Sequence, residues 1–221
     1  GVILANEVLD AMPVHRFRVG EQLEEMRVIL SEDRLAWSIS TEVSDQLSTA
    51  IDCLGVDFYS PYVSEINLAL PAWVASLSEC LEQGVMFFID YGFPRSEYYH
   101  SERHQGTLMC HYRHRAHSDP FFFPGLQDIT AHVDFTAVAE AADTAGLEVA
   151  GFTHQAAFLT SCGILDEVAK GGTLEEYNIN QQVNQLLHPG EMGELFKVIA
   201  LSKGYDKSLL GFELLNQLYR L

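Results

Sequence analysis

A chain of 221 residues that is 48% hydrophobic and 20% charged can bury one substantial core, which excludes a largely disordered protein. Its 31 acidic and 13 basic side chains leave a formal charge of −18. That charge excludes a protein whose main partner is nucleic-acid phosphate, which requires a surplus of Lys and Arg, although a local basic patch stays open. The longest apolar runs, such as Val85 to Ile89, are too short to cross a bilayer, so no membrane insertion is expected and a soluble compartment is the default.

Gly1-Val-Ile-Leu-Ala5 reads as a strand buried on both faces, and a chain that opens on such a strand without Met is expected to continue a longer sequence upstream. The polar turn Asn6-Glu-Val-Leu-Asp10 follows. Val14 to Val19 and Met26 to Leu30 then form two strands around Gly20-Glu21-Gln22, with Leu35 to Ile39 a third, making a small antiparallel excursion. Residues 42–54 have weak helical periodicity. Between Val63 and Leu81 the apolar positions Ile66, Leu70, Trp73, Val74, Leu77 and Leu81 recur at helical spacing, with Pro71 inside the pattern to kink or divide it.

Gly84 closes that helix and Val85-Met-Phe-Phe-Ile89 is a second central strand ending at Asp90-Tyr91-Gly92. A long stretch rich in aromatics and histidine runs from Phe93 to about Thr130, a length that usually signals function. A helix then starts at Asp134 or Thr136 and ends at Gly146, Leu147 to Phe152 is a third strand, and residues 156–170 and 173–187 are helical. Leu195 to Leu201 is a fourth strand and Leu209 to Leu221 a short amphipathic helix. Strands alternating with helices imply an α/β sheet, whose ligands sit beyond the carboxyl ends of the strands.

Asn6, Glu7 and Asp10 follow the first strand and Asp90 and Tyr91 the second, so neighbouring strands would gather these groups at one crevice suited to a cationic ligand. The plainer alternative is that Asp10 caps the turn and Asn6 satisfies loop backbone groups. Six of nine histidines lie between His100 and His132, yet they match no zinc signature, so no metal is expected; a metal-dependent hydrolase built on that cluster is the third functional reading. Cys53, Cys80, Cys110 and Cys162 form no CxxC pair and suit buried free thiols in a reducing compartment. Phe121-Phe-Phe123 reads as a core plug or a partner-binding lip. Neither GxGxxG nor GxSxG occurs.

Several separated strings together resemble one family over almost the whole chain. Gly1 to Phe17 is similar to the ANExxDAxPVxxF segment of MidA-type class I methyltransferases, and Ile89-Asp-Tyr-Gly92 to their DYG strand end. Gly106-Thr-Leu108, His114, His117, Pro124-Gly125 and Asp128 to Phe135 resemble the block GT…H..H…PG..D[IL]TA.VDF. Gln155 to Leu159 with Gly163, and Met192 to Phe196, resemble the closing strings.

The resemblance implies the C-terminal part of a Rossmann-like fold, strands four to seven in the order four, five, seven, six, with the last antiparallel and the first strand's free edge open to a homo-oligomer. The first three strands and the glycine-rich loop would lie upstream of Gly1. It implies a partial methyltransferase core at 1–13, 41–92 and 131–204, the excursion at 14–40, a family-specific substrate-side insert at 93–130 and a C-terminal helix at 205–221. S-adenosylmethionine is the implied cofactor, with Asn6, Glu7, Asp90 and Tyr91 facing it and Asn6, Glu7 and Asp10 catalytic. Glu65, His114, His117, Asp128, Thr130 and Asp134 are implied on the acceptor side. The implied acceptor is an arginine of a protein subunit of respiratory complex I type, in a bacterial cytoplasm or a mitochondrial matrix. The second reading is a non-catalytic assembly module that binds such a subunit.

Overall fold

Alternating apolar residues broken by glycine and proline dictate most of the elements, and the computed structural model describes residues 1–113, 115–168 and 171–221. From the amino terminus come β1 (Val2–Asn6), β2 (His15–Val19), β3 (Leu23–Ser31), β4 (Arg34–Ser40), α1 (Asp45–Cys53), β5 (Tyr62–Ile66), α2 (Leu70–Cys80) and β6 (Gly84–Phe93). The chain continues with α3 (Arg95–Tyr98), β7 (Met109–Tyr112), β8 (Arg115–His117), β9 (Asp128–Thr130), β10 (Val133–Asp134), α4 (Phe135–Thr144), β11 (Glu148–His154), α5 (Gln155–Ser161), α6 (Leu174–Leu187) and β12 (Phe196–Lys203). Two units result. The first comprises Gly1–Leu9, Pro71–Pro94 and Val133–Leu221, the second Asp10–Leu70 and Arg95–His132.

The first unit is a mixed sheet in the order β1, β6, β12, β11, with β1 and β6 parallel and β12 antiparallel to both its neighbours. Side-chain alternation gives the sheet two apolar faces. Val85, Phe87, Ile89, Val198 and Ala200 pack on one side against Phe158 of α5 and Phe212. On the other, Phe88 meets Trp73 of α2 at 5.5 Å and Phe152 meets Phe135 of α4 at 5.4 Å. Helices on both faces follow from strands that are apolar on both sides. The short β10 extends β6 in parallel, with Val133 opposite Gly92. A Cβ on Gly92 would lie 2.1 Å from the Val133 carbonyl oxygen, so only glycine permits this approach.

Three expectations change in this unit. β1 is an edge strand among the described residues, and Val2 and Leu4 are 74% and 69% exposed rather than buried on both faces, because only β6 flanks it. Pro71 neither kinks nor divides a helix; it is the second residue of α2, where a missing N–H costs nothing. The expected helix at 205–221 is two 3-10 turns, Leu210–Phe212 and Leu218–Arg220. Tertiary bonds replace the helical ones there: Asn216 Oδ1 accepts from Phe152 N at 3.1 Å, and Gln217 N donates to Phe152 O at 2.6 Å, which dresses the outer edge of β11.

The second unit holds an antiparallel sheet in the order β4, β3, β2, β5 and a smaller one in the order β8, β7, β9. Here Tyr62–Ile66, most of it expected within the helical stretch from Val63 to Leu81, is instead β5, paired antiparallel with β2. Its pattern buries Tyr62, Ser64 and Glu65, and Asn67 Oδ1 then accepts from Ala69 N and Leu70 N at 3.0 Å each, which turns the chain before the helix. The 93–130 stretch is not one loop but α3 and the β8, β7, β9 sheet with their connections. All four cysteines are free, and only Cys110 is buried, so the expectation of buried thiols fails for Cys53, Cys80 and Cys162.

Candidate functional site

In the first unit the parallel register sets Asn6 beside Ile89, so both strands release their chains at the same end of the sheet. Glu7 N donates to Ile89 O at 2.9 Å, and Glu7 itself takes φ 51°, a left-handed backbone costing a non-glycine residue roughly 1–2 kcal/mol. What offsets that cost is Asp90. Its Oδ2 accepts from Val8 N at 3.1 Å and Leu9 N at 2.9 Å, and its Oδ1 accepts from Tyr91 N at 2.9 Å. Asp90 is 1% exposed, so these backbone donors solvate a buried carboxylate. Asn6 and Glu7 are left exposed beyond the strand end, with Asn6 Nδ2 donating to Glu7 Oε1 at 3.2 Å.

Glu7, just past β1, and Asp90, inside β6 and not at its expected end, therefore divide the labour. The expected pair of carboxylates facing one crevice becomes one exposed carboxylate, Glu7, and one buried carboxylate that shapes its loop. Tyr91 is half-buried, with its ring 5.4 Å from Phe196. Asp134, expected near the acceptor, caps α4, its Oδ1 accepting from Thr136 N at 3.0 Å and Ala137 N at 3.2 Å.

The second unit centres on Glu65, which is fully buried on β5. Its Oε2 accepts from Thr107 N at 2.7 Å and from Thr107 Oγ1 at 3.3 Å. Arg16 Nε lies 3.2 Å from Glu65 Oε1, while Arg16 Nη2 donates to Gln105 O at 3.1 Å and the guanidinium sits 5.3 Å from the Trp37 ring centre. Burial pushes the Glu65 carboxyl above its ordinary 4.5, against the Thr107 amide and the Arg16 charge, which pull it down. Gly106 takes φ +80°, and a Cβ there would fall 2.3 Å from Glu65 Oε1. The Gly-Thr pair of the family string is thus the floor under this carboxylate. Thr107 Oγ1 also accepts from His132 N at 3.1 Å.

The remaining expected site residues among those described also lie in the second unit. Asp10, expected among the catalytic groups, is buried, and its carbonyl accepts from Ala131 N at 3.0 Å. Thr130 is buried on β9, whereas Asp128 is exposed opposite His111 of β7. His117 Nδ1 accepts from Asp119 N at 3.3 Å, and its ring lies 5.4 Å from Phe122. His114 lies outside the described residues. Among those residues no three His, Cys, Asp or Glu converge to hold a metal ion. Sequence reasoning missed Arg16 and Thr107, the partners of Glu65. Both stood within strings that resemble the family, Thr107 at a specified position and Arg16 at an unspecified one, so nothing in the spacing singles out Arg16.

A parallel-containing sheet between helices, with an exposed amide and carboxylate just past its edge strand, matches a methyltransferase-like α/β fold. Residues 1–153 match the model of a family of putative S-adenosyl-L-methionine-dependent methyltransferases, and the chain belongs to that family, the MidA-type proteins its motifs resemble. It is 28% identical over 218 residues to the mitochondrial protein arginine methyltransferase NDUFAF7 homolog of Drosophila melanogaster, covering 92% of this chain and 47% of that protein. It is 25% identical over 212 residues to the mitochondrial protein arginine methyltransferase NDUFAF7 of Danio rerio, covering 90% and 47%.

The chain thus spans about half the length of these curated relatives. A solved structure from Burkholderia thailandensis, described as a likely methyl transferase bound to S-adenosyl-homocysteine, superposes with a TM-score of 0.91 at 43% identity, covering all of this chain and 58% of that one. A native crystal structure from the same organism gives 0.90 and 43%, with 60% of that chain covered. S-adenosylmethionine is the cofactor of the family. The exposed Glu7 carboxylate, with Asn6 bonded to its Oε1, is an anionic group whose chemistry suits a cation.

Proposed function

We propose that the intact protein transfers a methyl group from S-adenosylmethionine to an arginine side chain of a protein substrate, and that this chain is the strand-four-to-seven part of the enzyme. The observation that carries the reading is the Asn6–Glu7 pair, held beyond β1 by the bonds from Val8 N and Leu9 N to Asp90 and from Glu7 N to Ile89 O. Support for arginine comes from the names of the two curated relatives, and support for a subunit of respiratory complex I type from the motif resemblance. The 43% identity to bacterial proteins, against 25–28% to mitochondrial ones, favours a bacterial cytoplasm over a mitochondrial matrix. Among the described residues no helix is long and apolar enough to cross a membrane.

When bound, the cofactor supplies an electrophilic methyl group on a positively charged sulfur. Glu7 receives the acceptor guanidinium in charge-assisted hydrogen bonds and turns one nitrogen toward that methyl. Asn6 holds Glu7 Oε1, which leaves Oε2 for the guanidinium. As the new C–N bond forms and the C–S bond breaks, the methylated nitrogen sheds a proton to Glu7 or to water. Asp90 is a positioning residue: it fixes the peptide planes of Val8 and Leu9 and hence the direction of Glu7.

The test is transfer of labelled methyl from S-adenosylmethionine by the intact protein to basic peptides, with the modified residue located by mass spectrometry. Label on arginine is expected, and Glu7→Gln should lower kcat by roughly a hundredfold while leaving donor affinity within a few-fold. Label confined to lysine would overturn the acceptor, and donor binding without any transfer would favour the assembly-module reading.

A further inference from the structure

Gln155 to Leu159 and Met192 to Phe196, the closing strings of the family resemblance, meet in the first unit, and neither supplies a group to the methyl transfer described above. A row of paired residues runs across three strands there. Asp90 of β6 stands opposite Lys197 of β12, and Lys197 stands opposite His154, the last residue of β11. The row lies toward the carboxyl ends of β1 and β6, the side on which open α/β sheets receive their ligands. Lys197 is buried, a costly place for an ammonium. It donates to the carbonyls of Glu194 and Leu195, the latter at 3.2 Å, and sits 5.7 Å from the centre of the Phe93 ring.

His154 holds the carbonyl just before these two. Its Nδ1 accepts from Ala157 N at 3.2 Å and caps α5, so that nitrogen carries no proton, and the Gly193 carbonyl accepts from the other side of the ring. Gln155 Nε2 adds a bond to Leu186 O at 3.1 Å. Three consecutive carbonyls, Gly193 to Leu195, are therefore tied to two side chains. They fix where β12 begins at Phe196, whose ring lies 5.4 Å from Tyr91. Tyr91 gives its N–H to Asp90, the residue that sets the direction of Glu7.

We propose that His154, in its neutral form, is a positioning residue for the methyl acceptor, holding the turn before β12 so that Phe196 and Tyr91 stay in place beside Asp90. The role rests on the reading that Glu7 receives an arginine. Protonation of Nδ1 replaces an acceptor by a donor facing the Ala157 N–H, so the cap of α5 is lost, and a second cation then stands opposite Lys197. The charged groups acting on the ring are Glu194 and Lys197, in and after the turn, and Arg220 near the carboxyl terminus. Burial first, then Lys197 and Arg220, hold the imidazole below its ordinary 6.5, against Glu194 and the Gly193 carbonyl. The neutral ring thus prevails at neutral pH and is lost on acidification.

Binding of an arginine-containing basic peptide to the intact protein, followed by fluorescence anisotropy with S-adenosylhomocysteine present, tests the proposal between about pH 5 and 8. The native affinity should fall about tenfold from the neutral to the acid end. His154→Asn should hold its affinity throughout, because an Asn oxygen caps α5 and its amide nitrogen serves the Gly193 carbonyl without titrating. At neutral pH His154→Ala should raise the acceptor KM about tenfold and leave donor affinity within a few-fold. Hydrogen exchange gives a readout independent of transfer: on acidification the Ala157 amide should become faster to exchange in the native protein than in His154→Asn. An acid loss that survives in His154→Asn, donor affinity that falls with acceptor affinity in His154→Ala, or equal Ala157 exchange in the two proteins at every pH would overturn the proposal. A native protein that binds no arginine peptide at any pH would overturn the arginine reading, and this role with it.

Discussion

Asp90 and Glu65 are both buried carboxylates, yet they differ in what keeps them buried. Asp90 is surrounded by backbone donors from Val8, Leu9 and Tyr91 and serves the geometry of an exposed neighbour. Glu65 has the Thr107 amide and hydroxyl and one guanidinium, and burial outweighs them, so its folded pKa is raised above 4.5. The sign of the pH dependence follows. Below pH 4.5 the carboxyl is protonated in both folded and unfolded chains, and its contribution to stability is fully present. As pH rises past that point the unfolded chain gives up its proton while the native one retains it, so this contribution is lost up to the folded pKa and then levels off. Glu65→Gln removes the titration, so denaturant midpoints measured from pH 4 to 8 should fall less steeply with pH in the variant than in the native protein.

At the scale of elements, two glycines mark where other groups press against the backbone. Gly106 lies against the Glu65 carboxylate and Gly92 against Val133 of β10, and in both the space for a side chain is already taken. Gly92→Ala would force a methyl into the Val133 carbonyl oxygen and should destabilise the fold by about 2–4 kcal/mol. Chemical denaturation measures the loss, and faster hydrogen exchange at Val133 and Asp134 would locate it at β10. Elements also explain the errors in reading the chain. β5 was hidden inside a helical pattern because Ile66, Leu70 and Trp73 happen to keep helical spacing across the Asn67 turn. The C-terminal apolar residues keep helical spacing too, yet Asn216 and Gln217 bond to Phe152, and Gly211 packs so closely on Phe158 that a Cβ would lie 2.2 Å from its ring.

Across the whole molecule the dominant physical quantity is the charge of −18. A field of that sign favours encounter with cationic segments, which suits an arginine-bearing substrate, and it is screened by salt. Raising the salt concentration from roughly 0.05 to 0.5 M should weaken binding of a basic peptide by about tenfold, mostly through a slower on-rate, as stopped-flow fluorescence would register. The sequence by itself determined the alternation of strands and helices, the positions of β1 and the first half of β6 and the family strings, because hydrophobic period and local turn chemistry act between residues near in the chain, whereas β6 runs on through Asp90 to Phe93. Only the tertiary structure decided that Asp90 turns inward while Glu7 turns outward, that Arg16 and Thr107 enclose Glu65, and that Asp10 is buried. Those outcomes rest on bonds between residues far apart in the chain, such as Val8 N to Asp90 Oδ2 across 82 positions, and no periodicity in a single chain carries information about them.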